Sequence, residues 1–225
     1  MTQIHVNDKL YRHEALLYAI NFFTQSFGTN PIIKNAFDFS NEILTLYSSA
    51  LFLKENNSFI MKAKQNYDIK EYSIEGTEKL KNLALFHGDI VKSNFKEYFT
   101  EDEIDTFKPK LMIPLIERDK IIGFIISRGK VIGEFNTDDY IVASALMRLV
   151  NKSLECTTVL KELEDKNKEL DLQIFNLFFI NQTTKTLLSE LDIEALYTLC
   201  TDIIGEVTCS KITTFGLYDE IRDRI

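Results

Sequence analysis

Met112-Ile113-Pro114-Leu115-Ile116-Glu117-Arg118-Asp119-Lys120-Ile121-Ile122-Gly123-Phe124-Ile125-Ile126 reads as two apolar strands joined by a short polar turn. Lys110 to Glu117 and Ile121 to Arg128 are rich in branched and aromatic residues, and Arg118-Asp119-Lys120 supplies the reversal. Pro114 starts or edges its strand, where a missing backbone donor is tolerated. Gly123, among large apolar neighbours, permits a close backbone approach or a bulge. Neither residue by itself implies chemistry.

Working upstream, Thr45 to Leu53 is strand-like, Asn56-Asn57 is a turn, and Ser58 to Ala63 completes a second hairpin. Two helices precede it. Asp8 to Phe27 carries Leu16, Leu17, Ile20, Phe23 and Phe27, and Gly28-Thr29-Asn30-Pro31 separates it from a helix ending near Leu44. Between the hairpins, Ser73 to Phe107 is a long crossover of helix and loop, with Thr100-Glu101-Asp102-Glu103 forming a capping box. Downstream, Gly129 to Gly133 turns, and Thr137 with Asp138 is read as the cap of the next helix.

That helix is long. Asp138 to Leu191 holds no Gly and no Pro, and its apolar positions repeat every three and four residues. With Leu146 at heptad position a, the a column is Leu146, Ser153, Leu160, Asn167, Ile174, Asn181 and Leu188, and the d column is Leu149, Cys156, Leu163, Leu170, Leu177, Thr184 and Leu191. Such a stripe is a coiled-coil seam. Fifty helical residues reach roughly 75 Å, a length suited to joining two chains and carrying a signal. Asn167 and Asn181 at position a favour a parallel, in-register homodimer, and Lys166 can pair with Asp171 across it. The competing reading is that the seam packs onto its own domain. Phe175, Phe178 and Phe179 widen the stripe into a helix bundle. Asp192 then caps another helix to about Val207, and Ser210 to Tyr218 is strand-like. Helix, helix, strand therefore recurs at an offset of roughly 160 residues. The second occurrence stops after one strand, too little for an independent core, so it reads as truncated.

Composition limits the function classes. The chain has 225 residues, 45% apolar and 27% charged, with net charge -8. An acidic chain is a poor nonspecific ligand for nucleic acid or an anionic membrane, since both need a cationic face. Met1 to Glu14 is polar, unlike a secretory signal, and no apolar run reaches a membrane span. Cys156, Cys200 and Cys209 lack metal spacing and leave an odd thiol, as in a reduced cytoplasmic protein. Frequent Lys, Ile and Asn fit an AT-rich bacterial genome.

The strand pair at 112–126, followed by Phe135-Asn136-Thr137-Asp138-Asp139 and the helix from Tyr140, resembles the signature of the GAF domain family, a "PL…G…GVL" strand pair followed by "F-x-x-x-D" and a long helix. The resemblance covers about residues 10–155, and Asn176 to Tyr218 resembles the opening of a second such domain. It implies an α+β fold, an α/β sandwich in which an antiparallel sheet is flanked by helices and followed by a coiled-coil helix. The expected organisation is a sensory domain at 1–155, a signalling helix at 146–191 overlapping both modules, and a truncated second module at 176–225. The family's known ligand subtypes are not matched. The cyclic-nucleotide motif fails because Asn151-Lys152 follows Phe135, and the bilin and methionine sulfoxide reductase members need pocket cysteines upstream of Cys156. The cofactor is therefore left open, with no metal, bilin or cyclic-nucleotide signature.

The resemblance places the pocket under the crossover. Candidate ligand contacts are Phe86, His87, Tyr98, Phe99, Phe107 and, at the rim, Arg128. Those aromatics, with Phe95, either line a small-molecule cavity or fill it. His87 is either a ligand contact or a loop histidine. Glu101, Asp102, Glu103 and Asp105 fit first-turn residues better than an acid–base pair. His5 and His13 have no partner pattern. No nucleophile–base pair, phosphate loop or output-domain signature is present. The expected function is non-catalytic: a cytoplasmic regulatory fragment that senses a small ligand or partner and relays it through a parallel helical dimer. The alternative is a dimerisation module with a filled pocket. Dimer contacts are expected at Leu146, Leu149, Cys156, Leu160, Leu163, Asn167, Leu170, Ile174 and Leu177.

Overall fold

The computed structural model describes residues 2–26, 28–86, 89–214 and 216, with the side chains of 2–10, 85 and 86 left undescribed. The chain divides into two compact units after Lys161.

In the first unit, helices α1 (Thr2–Gln25) and α2 (Thr29–Ile43) lead into strands β1 (Leu46–Glu55) and β2 (Ser58–Gln65). A two-residue strand β3 (Ser73–Ile74), which the sequence reading left within the crossover, follows, then the short helices α3 (Glu78–Lys81) and α4 (Glu101–Phe107). Strands β4 (Leu111–Glu117) and β5 (Lys120–Lys130) complete the sheet before the long helix α5 (Thr137–Ser189). The order is β3-β2-β1-β5-β4, with every pair antiparallel. This is the expected α+β architecture.

Local rules account for the elements. Arg118 and Asp119 both adopt left-handed backbone, φ 47° and 59°, the geometry a two-residue hairpin turn requires. Gly123 lies opposite Leu53, and a Cβ there would sit 2.4 Å from the Phe52 carbonyl oxygen, so only glycine fits. Thr100 and Glu103 form the expected capping box of α4. The cap of α5 is a correction. Asn136, rather than Thr137 and Asp138, accepts the Asp139 amide at 2.9 Å, and Asp139 returns a carboxylate to the Asn136 amide at 3.0 Å. Asparagine's short carbonyl reaches the third helical residue as a serine or threonine hydroxyl does.

Each strand sends alternate side chains to opposite faces. Leu51, Ile113, Leu115 and Ile125 meet α1, α2 and the start of α5 in one core. Phe52, Phe59, Met112, Phe124 and Ile126 meet the crossover in the other. The outer edge of β4 is closed. Val91 exchanges both backbone hydrogen bonds with Met112, Pro114 has no donor, and the Ile116 amide donates to Asn151 Oδ1 on α5 at 3.0 Å.

The second unit holds the rest of α5 and α6 (Ile193–Val207), capped as expected by Asp192. The strand expected at Ser210 to Tyr218 is not formed by 210–214, and Phe215 and 217–218 lie outside the described residues. A strand without a ladder partner leaves its backbone groups to water, so it does not persist alone.

Candidate functional site

The sheet face under the crossover, where the aromatics either line a cavity or fill it, is packed with rings. Phe52 stacks on Phe124 with centroids 5.1 Å apart, Phe59 leans on Phe124 at 5.1 Å, and Phe99 meets Phe124 edge-on at 5.6 Å. Phe107 is the edge partner of Phe52, Tyr67 and Tyr72 at 5.3, 5.4 and 4.9 Å. These edge and offset arrangements are the favoured ones for aromatic pairs. Phe99 and Phe107 are thus core residues, brought together by alternate positions of β1 and β5 and by the end of α4. Phe52, Phe59, Tyr67, Tyr72 and Phe124 were not singled out from the sequence, although Phe52 and Phe124 lie two residues from further apolar strand positions.

Tyr98 is half-buried, with the Lys79 ammonium 5.5 Å from its ring centroid. Its carbonyl accepts from the Thr77 amide. Phe86 closes a short 3-10 turn, Leu83–Phe86, and its side chain is not described. His87 lies outside the described residues. Arg128 is brought to the end of this face. Its guanidinium lies 5.4 Å from the Tyr67 ring centroid and donates from Nη2 to the Thr106 carbonyl at 3.4 Å, while buried Nε has no partner. Tyr67 donates to the Phe107 carbonyl at 2.9 Å. Burial pushes its hydroxyl up to about 12, against the opposing pull of the Arg128 charge.

A second constellation sits where α5 begins. Asp139, the aspartate closing the Phe135-to-Asp139 stretch, is fully buried and accepts from Arg12 Nη1 of α1 at 2.9 Å and Lys130 Nζ of β5 at 2.7 Å. Burial alone would raise its pKa. The Lys130 hydrogen bond, the Asn136 amide, the Lys130 charge and the Arg12 hydrogen bond outweigh it and hold the carboxyl below its ordinary range. One carboxylate thereby ties the N-terminal helix, the sheet and the long helix together. Further along, Ser153 Oγ donates to the Phe23 carbonyl at 2.9 Å, and Thr158 bonds the Glu117 carboxylate. The Asn136-to-Asp139 spacing signals the helix cap alone, while the ion pairs to Arg12 and Lys130 join distant parts of the chain and carry no local signal.

The dimer positions divide. Leu146 is a correction: at 1% exposure it belongs to its own domain's core, because the first turns of α5 use that side to cover the sheet. Leu149 is half-buried against the same core. Cys156 is exposed, and beyond it Leu160, Leu163, Leu170, Ile174 and Leu177 are 40, 55, 53, 64 and 62% exposed, with Asn167 exposed among them. Among the described residues no metal-binding cluster occurs and no helix is long and apolar enough to cross a membrane.

A profile of the GAF domain matches residues 31–156, more than half of the chain. No curated protein matches. Among solved structures, the chain is similar to the fRMsr of Staphylococcus aureus in its reduced form (18% identity, 66% of this chain, 95% of that chain, TM-score 0.47). It is also similar to the GAF domain of a phosphoenolpyruvate-protein phosphotransferase from Coxiella burnetii (11% identity, 68% of this chain, 98% of that chain, TM-score 0.48). The PixJ GAF domain of Thermosynechococcus elongatus, in its blue-light absorbing form, is a third (16% identity, 61% of this chain, 91% of that chain, TM-score 0.49). With the five-stranded antiparallel sheet and its flanking helices, the match across residues 31–156 settles the family: the chain belongs to the GAF domain family, a sensory and regulatory fold.

Proposed function

We propose that this chain is a non-catalytic regulatory module that works as a parallel homodimer in the cytoplasm, with its domain acting on whatever the long helices carry. The supporting observation is the change of surroundings along α5. Up to Thr158 the helix is anchored by Asp139, Asn151, Ser153 and Thr158, and past Cys156 its a and d positions are left open. An apolar stripe of this length in water is unfavourable at about 25 cal/mol per Å², and a second copy hides it with the same heptad register. The stripe has a counterpart on α1, where Leu17 and Ile20 are 56 and 43% exposed. The domain biases the relative setting of the two helices, and Asn167 and Asn181 limit register slips.

The ring-packed sheet face favours the second reading of the input. A relay driven by a protein partner, with no small molecule in the fold, suits a face where Phe99 and Phe107 are buried against Phe124 and Phe52.

Sedimentation equilibrium on the full chain tests the dimer. A dimer at micromolar concentration that Leu163→Glu with Leu170→Glu converts to monomer supports it, and a monomer in the unaltered chain refutes it. Mild oxidation joins two copies through Cys156 if the helices run parallel, and Cys156→Ser abolishes that product. A fluorescence-melt screen then separates the inputs: a saturable upward shift with a small molecule restores the ligand-sensing reading.

A further inference from the structure

The second unit repeats the first, turn by turn, up to the point where a sheet begins. α1 ends at Gln25 and α5 at Ser189, α2 starts at Thr29 and α6 at Ile193, and they end at Ile43 and Val207, all at an offset of 164 residues. The repeat continues through the cap. Leu44 and Thr208 both have φ -88°, and Thr45 and Cys209 both have φ 50°. A left-handed backbone at a threonine and a cysteine is uncommon, so its recurrence at the same offset is informative. The hydrogen bonds recur too: Thr45 N to Glu42 O and Cys209 N to Glu206 O are both 3.2 Å. On and just past the preceding helices, Ala15, Ala19, Phe23 and Ser26 are covered and map onto the partly buried Phe179, Thr183, Leu187 and Glu190, whereas the covered Leu16 and Phe22 map onto the exposed Ile180 and Thr186.

The two hairpins differ in what covers their second helix. α2 buries Ile32, Ile33, Ala36, Phe37, Phe39, Ser40 and Ile43. The same positions of α6 are Leu196, Tyr197, Cys200, Thr201, Ile203, Ile204 and Val207; none is buried, the first five are partly covered and the last two are exposed. Ile204 is 50% and Val207 61% exposed. In the first unit the turn at Thr45 delivers the chain into β1, whereas Cys209 delivers it into 210–214, which are not paired.

We infer that the α6 face is a docking surface for one occupant, the apolar face of a second antiparallel sheet of the kind built by β1 to β5. Positions 32, 36 and 43 show what such a sheet accepts, and 196, 200 and 207 offer side chains of the same class. The turn at Cys209 aims the following residues where β1 stands in the first unit. The inference does not depend on the dimer: it concerns α6, whereas the dimer uses the a and d positions of α5.

Transplantation tests it. In the full chain, residues 29–45 are replaced by the sequence of 193–209, so that α6 and its turn stand over the existing sheet. The expected result is cooperative unfolding with slowly exchanging amides retained in β1 and β5. The same chimera carrying Leu196→Asp and Val207→Asp in the transplanted segment loses both. Loss of protection in the first chimera, or its survival in the second, overturns the inference. An independent measurement uses the unaltered fold. Leu196→Glu with Val207→Glu lowers the fluorescence of a hydrophobic dye and leaves the sedimentation coefficient unchanged. Dissociation of a dimer by that pair assigns the face to a second copy and overturns the sheet.

Discussion

The two halves of α5 share one helical period and live in different surroundings. From Thr137 to Lys161 the helix is part of a domain: Ala143, Leu146, Val150 and Leu154 are buried, and four polar side chains fix its height and rotation against α1 and β4. From Glu162 to Ser189 none of its residues is buried, and its ion pairs, such as Lys166 with Glu169, are exposed contacts of adjacent turns. Heptad spacing by itself does not distinguish a face packed on the helix's own domain from one left exposed, and burial does. The lesson for mechanism is that the first half cannot rotate or slide on its domain without breaking Asp139 and Asn151 contacts, so domain and helix move as one body up to Thr158.

The comparison breaks most clearly at the aromatic face. Phe124→Ala removes the ring that Phe52, Phe59 and Phe99 share and costs about 3–5 kcal/mol in urea denaturation. Leu170→Ala, 53% exposed, leaves that transition in place and weakens association instead. Equal loss of domain stability from both substitutions would erase the distinction.

Asp139→Ala is the next largest. It leaves Lys130 buried and Arg12 half-buried without their carboxylate, at about 3 kcal/mol. The pH dependence has a definite sign. Because the folded carboxyl is depressed, its contribution is present above the unfolded value of about 3.9 and is lost as pH falls through the lower folded value. Denaturation midpoints measured through this acid range fall more steeply for the parent than for Asp139→Asn. Parallel curves would remove Asp139 from the clamp.

Gly123→Ala follows, at about 1–3 kcal/mol, since the new methyl meets the fixed Phe52 carbonyl as well as the Leu53 side chain. Thermal unfolding shows the loss, and a neutral result would mean that β1 and β5 separate easily. Asn151→Ala is the smallest, about 1 kcal/mol, for one edge amide left unpaired. Its sharper readout is hydrogen exchange at Ile116, which accelerates while amides in β1 do not.

Much of the fold was legible from short-range chemistry. Both hairpins, the α4 capping box and the Asp192 cap depend on neighbours within a few residues, whereas Gly123 was legible only as a strand glycine and its close contact, the Phe52 carbonyl, comes from β1. β3 was not legible, because two residues become a strand only when Phe59 and Ile60 lie opposite Ile74 and Ser73. The site was less legible than the fold. Phe99 and Phe107 were candidates either to line or to fill a cavity, and which they do depends on Phe52 and Phe124 arriving from distant strands. The clamp at Asp139 was missed because its partners come from residues 12 and 130.

The order of residues alone determined nearly where helices start and stop, which strands pair as hairpins, and that one largely apolar heptad stripe runs from Leu146 to Leu188. These follow from torsional preference and local hydrogen bonding, which act over three or four residues. Which part of that period faces inward, whether the pocket aromatics close ranks, and how a buried carboxylate is compensated were decided only in three dimensions. Burial, ring packing and charge compensation are properties of atoms that distance along the chain keeps apart and folding brings together.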